Sequence, residues 1–284
     1  MAENGGIGPG LHLVAVPIGT ARDITLRALD VLAGAEVLAA EDTRSLRRLM
    51  EIHGIALGGR SVVPYHDHNE ARALPRLMGA LSEGRSVAYA AEAGTPLIAD
   101  PGFRLGAEAR AAGIAVHAAP GASAVLAALC VAGLPTDRFF FDGFLPPKSA
   151  ARKASLRELS AVPGTLVFYE SPRRLAAMLR DAAEVLGPRE AAVCRELTKR
   201  FEEVTRGTLA ELAGRFEGEE TRGEIVVLVD RPGAAVADAA TLEAALRSAL
   251  AEGSVKSAAR DVAEAFGVAR GTVYQMALAL KDER

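Results

Sequence analysis

Residues 11–32, LHLVAVPIGTARDITLRALDVL, decide how the fold is read. Leu11 to Val16 form an apolar run of strand length, and the pattern breaks sharply at Pro17, Ile18 and Gly19. From Ile24 the apolar positions Ile24, Leu26, Leu29, Val31 and Leu32 lie close to helical spacing, and Asp23 or Thr25 can cap the start. A buried strand, a loop and a helix in this order make one α/β unit.

The same unit recurs on working outward. Val37 to Ala40 reads as a second strand whose C-terminal end carries Glu41 and Asp42, with helical spacing over Leu46 to Met50. Val87 to Ala90 and Ile114 to His117 are further strands, separated by the turn-rich Gly94 to Gly102 and a helix-like Leu105 to Ala112. Pro120, Gly121, Ala122 and Ser123 then give a small-residue entry to a helix through Leu129. Repetition of this kind favours a parallel α/β architecture over an antiparallel sandwich.

A composition shift at Phe139 to Pro147 marks the end of a first domain, set at residues 11–142. Beyond it, Thr165 to Tyr169, Ala191 to Arg195 and Ile225 to Val229 read as strands, with helical patterns over Leu175 to Val185 and Leu209 to Phe216. These make a second α/β domain over residues 143–232. Thr241 to Leu250, Val255 to Phe266 and a helix from Arg270 or Thr272 to Leu280 form a small helical region at 240–284. Phe266, Gly267, Val268 and Ala269 resemble the turn of a helix-turn-helix. A nucleic-acid reader and a bundle that only completes packing or dimerisation both fit that pattern.

With 284 residues, half of them hydrophobic, the chain has material for two ordinary cores. Its 33 basic and 36 acidic residues leave a net charge of −3, which excludes a uniformly basic nucleic-acid coat, so any polyanion must meet a local patch. Cys130 and Cys194 sit in no ligand cluster, which argues against a disulfide scaffold or zinc module and for a reducing cytoplasm. No apolar run is long enough to span a bilayer. His66 and His68 lack the further ligands of a metal site, and neither a phosphate-binding GxxxxGK loop nor a GxSxG elbow occurs. Gly6, Gly8 and Gly10 precede the first strand, where a dinucleotide turn would have to follow it. What remains is Pro17 to Gly19, Ala93 to Pro96 and Pro120 to Ala124, small-residue loops at strand ends, where open α/β sheets bind ligands. They read equally as a cofactor crevice or as tight turns.

These loops sit in a longer set of motifs. Val16-Pro17-Ile18-Gly19, Ala40-Glu41-Asp42-Thr43-Arg44, Tyr65-His66-Asp67-His68-Asn69-Glu70 and Ala93-Gly94-Thr95-Pro96-Leu97-Ile98-Ala99-Asp100-Pro101-Gly102 come first. Pro120 to Ala124, Gly143 to Pro146, Tyr169-Glu170-Ser171-Pro172-Arg173-Arg174, Arg195-Glu196-Leu197-Thr198-Lys199 and Gly223-Glu224-Ile225 follow. Together they resemble the bacterial small-subunit rRNA methyltransferases that modify a cytidine ribose 2′-oxygen, within the tetrapyrrole-methylase-like superfamily. The resemblance spans residues 11 to 230, with a weaker extension beyond. It implies two αβα domains of the tetrapyrrole-methylase-like type, a homodimer, S-adenosyl-L-methionine in the cleft between them, and 16S rRNA as partner.

The resemblance also implies where the ligand lies. Pro17, Ile18, Gly19, Gly94, Thr95, Pro96, Leu97, Ile98, Gly121, Ala122, Ser123 and Ala124 correspond to the first-domain side of the cofactor site, and Tyr169, Gly223, Glu224 and Ile225 to the second. Ala91-Glu92 stands where the family has Ser-Asp, which keeps a charge and loses a hydroxyl. Glu92, Asp100, Glu170 and Glu196 are carboxylates able to accept or orient the ribose proton. Lys199, near Arg195 and Arg200, is a base if those charges depress its pKa, and otherwise a phosphate contact. Arg173, Arg174, Arg195 and Arg206 are expected on the RNA backbone, with Arg44, Arg47 and Arg48, and with Lys148, Arg152, Lys153 and Arg157, as further surfaces. A tetrapyrrole methyltransferase of the same fold and a noncatalytic RNA-binding protein are the competing readings.

Overall fold

Side-chain alternation along the first strands determines how the N-terminal half is layered. The computed structural model describes residues 7–99, 102–233, 239–266 and 270–282. In it β1 (Gly10–Val14), β2 (Val37–Ala40), β3 (Val62–Pro64), β4 (Ser86–Ala90) and β5 (Val116–Ala119) form a parallel sheet in the order β3-β2-β4-β1-β5. Val14, Leu38, Ala40, Ala88 and Ala90 face α1 (Leu26–Gly34) and α2 (Thr43–Ile52), packing on Ala28, Leu32, Leu46 and Met50. Leu11, Ala39, Val87 and Tyr89 point the other way, onto Leu74 and Leu77 of α3 (Glu70–Ser82) and Leu105 of α4 (Phe103–Ala111). Because the strands run parallel, the segments after β1, β2, β4 and β5 all emerge at one edge.

The second half contains α5 (Ala124–Ala132), β6 (Phe139–Phe144), α6 (Ser149–Leu159), β7 (Thr165–Glu170), α7 (Leu175–Leu186), β8 (Glu190–Arg195), β9 (Glu203–Thr208), α8 (Leu209–Phe216) and β10 (Ile225–Val229). Its sheet, ordered β6-β7-β10-β8-β9, is mixed: β6 and β7 are parallel and the other pairs antiparallel. Helices α6, α7 and α8 cover one face. The other receives α5, whose Val125, Ala128 and Leu129 pack on Val167, Ala192, Val226 and Leu228. Thus α5 leaves the first sheet and is buried beneath the second, joining the lobes. At the C-terminus α9 (Ala239–Glu252), α10 (Val255–Phe266) and α11 (Arg270–Asp282) share a separate core around Leu246, Ala259, Val273 and Ala277.

Several expectations are revised. The parallel order inferred for the first half does not carry over to the second, whose sheet is largely antiparallel. Phe139–Phe144 forms β6, paired with β7, so the sheet boundary precedes Phe139 and does not fall at residue 142. Strand β5 starts two residues later than expected, because the Ile114 N–H bonds the Ala109 carbonyl and closes the end of α4. The short β3 and the polar edge strand β9 lack the apolar runs that mark the other strands. The expected turn residues Gly267, Val268 and Ala269, and the candidate Asp100, lie outside the described residues.

Candidate functional site

Two depressions meet where the strand ends of the first sheet face the second lobe. One is a groove of about 540 Å³ along α2, lined by Pro17, Gly19, Ala21, Arg44, Arg48, Leu49, Ile52 and Glu92. The other is a cavity of about 460 Å³ between the lobes. Ile18, Glu41, Glu92, Gly94, Thr95, Ile98, Ser123 and Ala124 line it from the first side, and Phe144, Tyr169, Glu170, Ser171, Cys194, Gly223, Glu224 and Ile225 from the second. Glu92 lines both.

Local bonding holds the two walls in place. Val16 and Gly94 exchange backbone hydrogen bonds, and Thr95 Oγ1 donates to the Ala122 carbonyl at 3.0 Å, tying three loops together. A Cβ on Gly121 would sit 2.9 Å from that of Ala15, so Gly121 packs the turn from behind and does not line the cavity. Pro96, Leu97 and Ala122 are also absent from its lining, while Pro17 and Gly19 line the groove instead. Across the cleft the Thr20 N–H donates to Thr198 Oγ1 at 3.2 Å, and the Thr20 hydroxyl donates to the Thr198 carbonyl. A Cβ on Gly19 would lie 2.5 Å from Lys199 Cγ, a closeness only glycine allows. Among the described residues four non-glycine residues have left-handed backbone: Leu97 and Ala99 on one rim, Glu196 and Thr198 on the other. Such strain concentrates where structure is held for function.

Phe144, on β6, and Tyr169 meet edge to face with ring centroids 5.6 Å apart, and Phe144 is 57% exposed. Neither Phe144 nor Glu41 was among the expected site residues. The aromatic run read as a boundary signal, and Glu41 read as one half of an acidic strand end. Burial pushes the Glu41 carboxyl above the usual range, the bond it accepts from the Glu92 N–H at 3.1 Å counteracts this, and the charges of Glu92 and Asp67 add to it. Burial also pushes the Cys194 thiol up to about 11, so this cavity-lining sulfur stays protonated.

Other expected groups are already engaged. Glu170 is buried, accepts the Ser171 N–H at 2.7 Å and pairs with Arg174 at 3.0 Å, a structural role that removes both from the free candidates. Burial alone would lower the Lys199 ammonium, but hydrogen bonds to Glu196 at 2.9 Å and Glu224 at 3.0 Å outweigh it and hold Lys199 above its ordinary value. Lys199 is therefore not a depressed-pKa base. Burial raises Glu196, yet the Glu224 N–H and Lys199 bring it below the usual range.

Among the arginines, Arg44, Arg47 and Arg48 stand exposed on α2, and the pairs Arg44–Asp42 and Arg48–Glu51 are solvent-facing and weak. Arg173 is exposed next to the cavity-lining Ser171 and Pro172, and Lys148 and Arg157 are exposed on and before α6. Arg152 is different: its guanidinium is buried, bonded to Asp181 at 2.7 Å, and cannot face RNA. Lys153 bonds Glu184 and Asp181. Arg195 bonds Glu203 at 2.9 Å, and Arg206 donates to the Val131 and Ala132 carbonyls, capping the end of α5.

The cavity suits a sulfonium cofactor by its chemistry. Among the described lining residues none is basic, four are glutamates, and the exposed Phe144 ring stands at the rim. Its volume falls in the range of small-molecule sites. No cluster of three or more His, Cys, Asp or Glu among the described residues could hold a metal ion, and no described helix is long and apolar enough to cross a membrane.

Comparison with known proteins agrees with this layout. Residues 10–213 match the tetrapyrrole (corrin/porphyrin) methylases, and residues 236–281 match the RsmI C-terminal HTH domain. Ribosomal RNA small subunit methyltransferase I of Mesorhizobium japonicum is 48% identical, over 96% of this chain and 93% of its own. The protein of the same name from Mycobacterium tuberculosis is 47% identical, with 96% of each chain covered. Among solved structures, the methyltransferase CobJ superposes with a TM-score of 0.61 at 20% identity, over 78% of this chain and 94% of that one. A uroporphyrin-III C-methyltransferase from Thermus thermophilus complexed with S-adenyl homocysteine gives 0.54 at 21%, over 78% and 97%. The structures share the fold, and the sequence relatives share nearly the whole chain. This chain belongs to the tetrapyrrole (corrin/porphyrin) methylase family, in its ribosomal RNA small subunit methyltransferase I branch.

Proposed function

We propose that the chain transfers a methyl group from S-adenosyl-L-methionine to the ribose 2′-oxygen of a cytidine in the decoding region of 16S rRNA. The observation that carries this reading is the junction at Glu92, where an acidic interlobe cavity opens onto a groove flanked by α2 arginines. A small cationic donor fits the first and a polyanionic acceptor the second. The name shared by the full-length relatives supports rRNA over a tetrapyrrole.

When bound in the cavity, S-adenosyl-L-methionine supplies an electrophilic methyl group on a positively charged sulfur. Gly94, Thr95, Ile98, Ser123 and Ala124 would hold it from the first lobe, and Tyr169, Gly223, Glu224 and Ile225 from the second. Ile98 and Phe144 present exposed apolar surface at the rim, which a bound donor would cover. Arg44 and Arg48, reinforced by Arg47 and Arg173, grip phosphates, so a ribose hydroxyl is presented at the junction; fixing that approach supplies much of the rate. The enzyme acts as a cytoplasmic homodimer on the small ribosomal subunit.

Purified protein, labelled methyl donor and small subunits lacking the modification test the reading. Digestion and mass mapping are expected to place the label on one cytidine ribose. Label on a base, or none on rRNA, refutes it. Sedimentation at micromolar concentration tests the dimer.

A further inference from the structure

Resting on the proposed rRNA 2′-O-methyl transfer, we propose that Glu41 is the catalytic residue that accepts the proton of the ribose hydroxyl. The placement comes from the fold. Glu41 is the first residue beyond β2, at the sheet edge where the groove and cavity meet, and it lines the cavity beside Glu92. It is half-buried, and its carboxylate has no ion-pair partner among the described residues. Of the other glutamates on that lining, Glu170 is neutralised by Arg174 and Glu224 by Lys199. Glu92 is exposed, and its backbone N–H fixes one Glu41 oxygen at 3.1 Å, while the other accepts no hydrogen bond among the described residues.

The groups that face Glu41 are Glu92 from the loop after β4 and Asp67 and His66 from the loop after β3. Two of the three are like charges, and the imidazole opposes them. Partial burial among carboxylates raises Glu41 above the ordinary glutamate range and so makes it a stronger base than a solvated glutamate. In the step, the ribose O–H bond breaks and its proton passes to a Glu41 oxygen. The ribose oxygen's electron pair forms the bond to the methyl carbon, and the carbon–sulfur bonding pair stays with sulfur, which becomes a neutral thioether. Glu41 then returns the proton to water, so one proton is released per methyl transferred.

Glu41→Gln keeps the acceptor for the Glu92 N–H and removes the base. Single-turnover methylation of unmodified small subunits, measured across pH at saturating substrate and donor, is expected to slow at least about 100-fold. The acidic limb of the wild-type profile should disappear. Subunit affinity by filter binding should stay within threefold, and donor affinity by calorimetry should fall far less than the rate. Glu92→Gln should retain the limb but move it to lower pH, since a like charge has been removed. A Glu41→Gln rate within threefold of wild type, or a limb that survives in Glu41→Gln and vanishes in Glu92→Gln, overturns the assignment. So does a rate loss matched by lost donor or subunit affinity. A wild-type protein that methylates no rRNA refutes the functional reading itself, and the assignment with it.

Discussion

Replacing Asp181 with alanine should destabilise the second lobe while leaving the RNA surface untouched. Arg152 donates to Asp181 through Nε at 2.7 Å, and Ser149 Oγ donates to the other carboxylate oxygen at 3.0 Å. The side chains of the pair are 4% and 10% exposed, so water cannot replace the lost partner. Arg152 retains only long bonds to the Pro146 and Pro147 carbonyls, at 3.4 and 3.2 Å. Removing one member of such a pair costs about 3–5 kcal/mol, chiefly the burial of the charge left behind. Equilibrium urea unfolding followed by circular dichroism measures this, and the double variant Arg152→Met with Asp181→Leu should recover most of it. The double variant should also bind small subunits with the wild-type salt dependence. A lost phosphate contact would lower the logarithmic slope by about 0.7 for single-stranded RNA. A cost below about 1 kcal/mol for Asp181→Ala refutes the buried-pair argument, and a reduced slope for the double variant restores Arg152 to the RNA surface.

The exposed arginines should behave oppositely: Arg44→Ala and Arg48→Ala should each lower the salt slope by about 0.7 with little change in urea stability, in the same two assays. Lys199→Met should lose stability at neutral pH, because it removes a partner that holds Glu196 below the usual carboxylate range. That contribution is present above the ordinary value of about 4.3 and is lost as pH falls through the depressed folded value, so thermal melts of variant and wild type should converge in acid. Glu41→Gln should show the reverse sign. The raised Glu41 pKa costs stability as pH climbs out of the ordinary carboxylate range, so the variant should melt higher at pH 7.5 and match wild type near pH 4. Gly223→Ala would force a Cβ to 2.5 Å from Glu196 Cγ at a φ of +93°, and should weaken donor binding in calorimetry by displacing the second-lobe wall.

The first lobe was largely legible because its central parallel strands, β1, β2 and β4, are buried on both faces. Val37–Ala40 and Val87–Ala90 therefore appear as uninterrupted apolar runs, and the loops at their C-terminal ends are the ligand-facing ones in any such sheet. The second lobe was less so. β9 is an edge strand with a polar sequence, Glu203–Thr208, and its partner across the sheet cannot be inferred from local periodicity. Among site residues, small-residue loops announced themselves by composition, and Gly94 and Ser123 do line the cavity. Phe144 did not, since nothing local distinguishes a cleft aromatic from a core one.

By itself the sequence determined the alternation of strands and helices, the small-residue turns, and a motif set dense enough to place the chain in its family. Those are properties of neighbouring residues and of spacing. Only the tertiary structure decided which charges are free. Arg152 and Arg48 are both arginines on amphipathic helices, yet one meets Asp181 across 29 residues of chain in a dry interior and the other meets water beside the groove. Charge is written in the side chain, but its availability depends on solvent and partners that folding brings from distant positions.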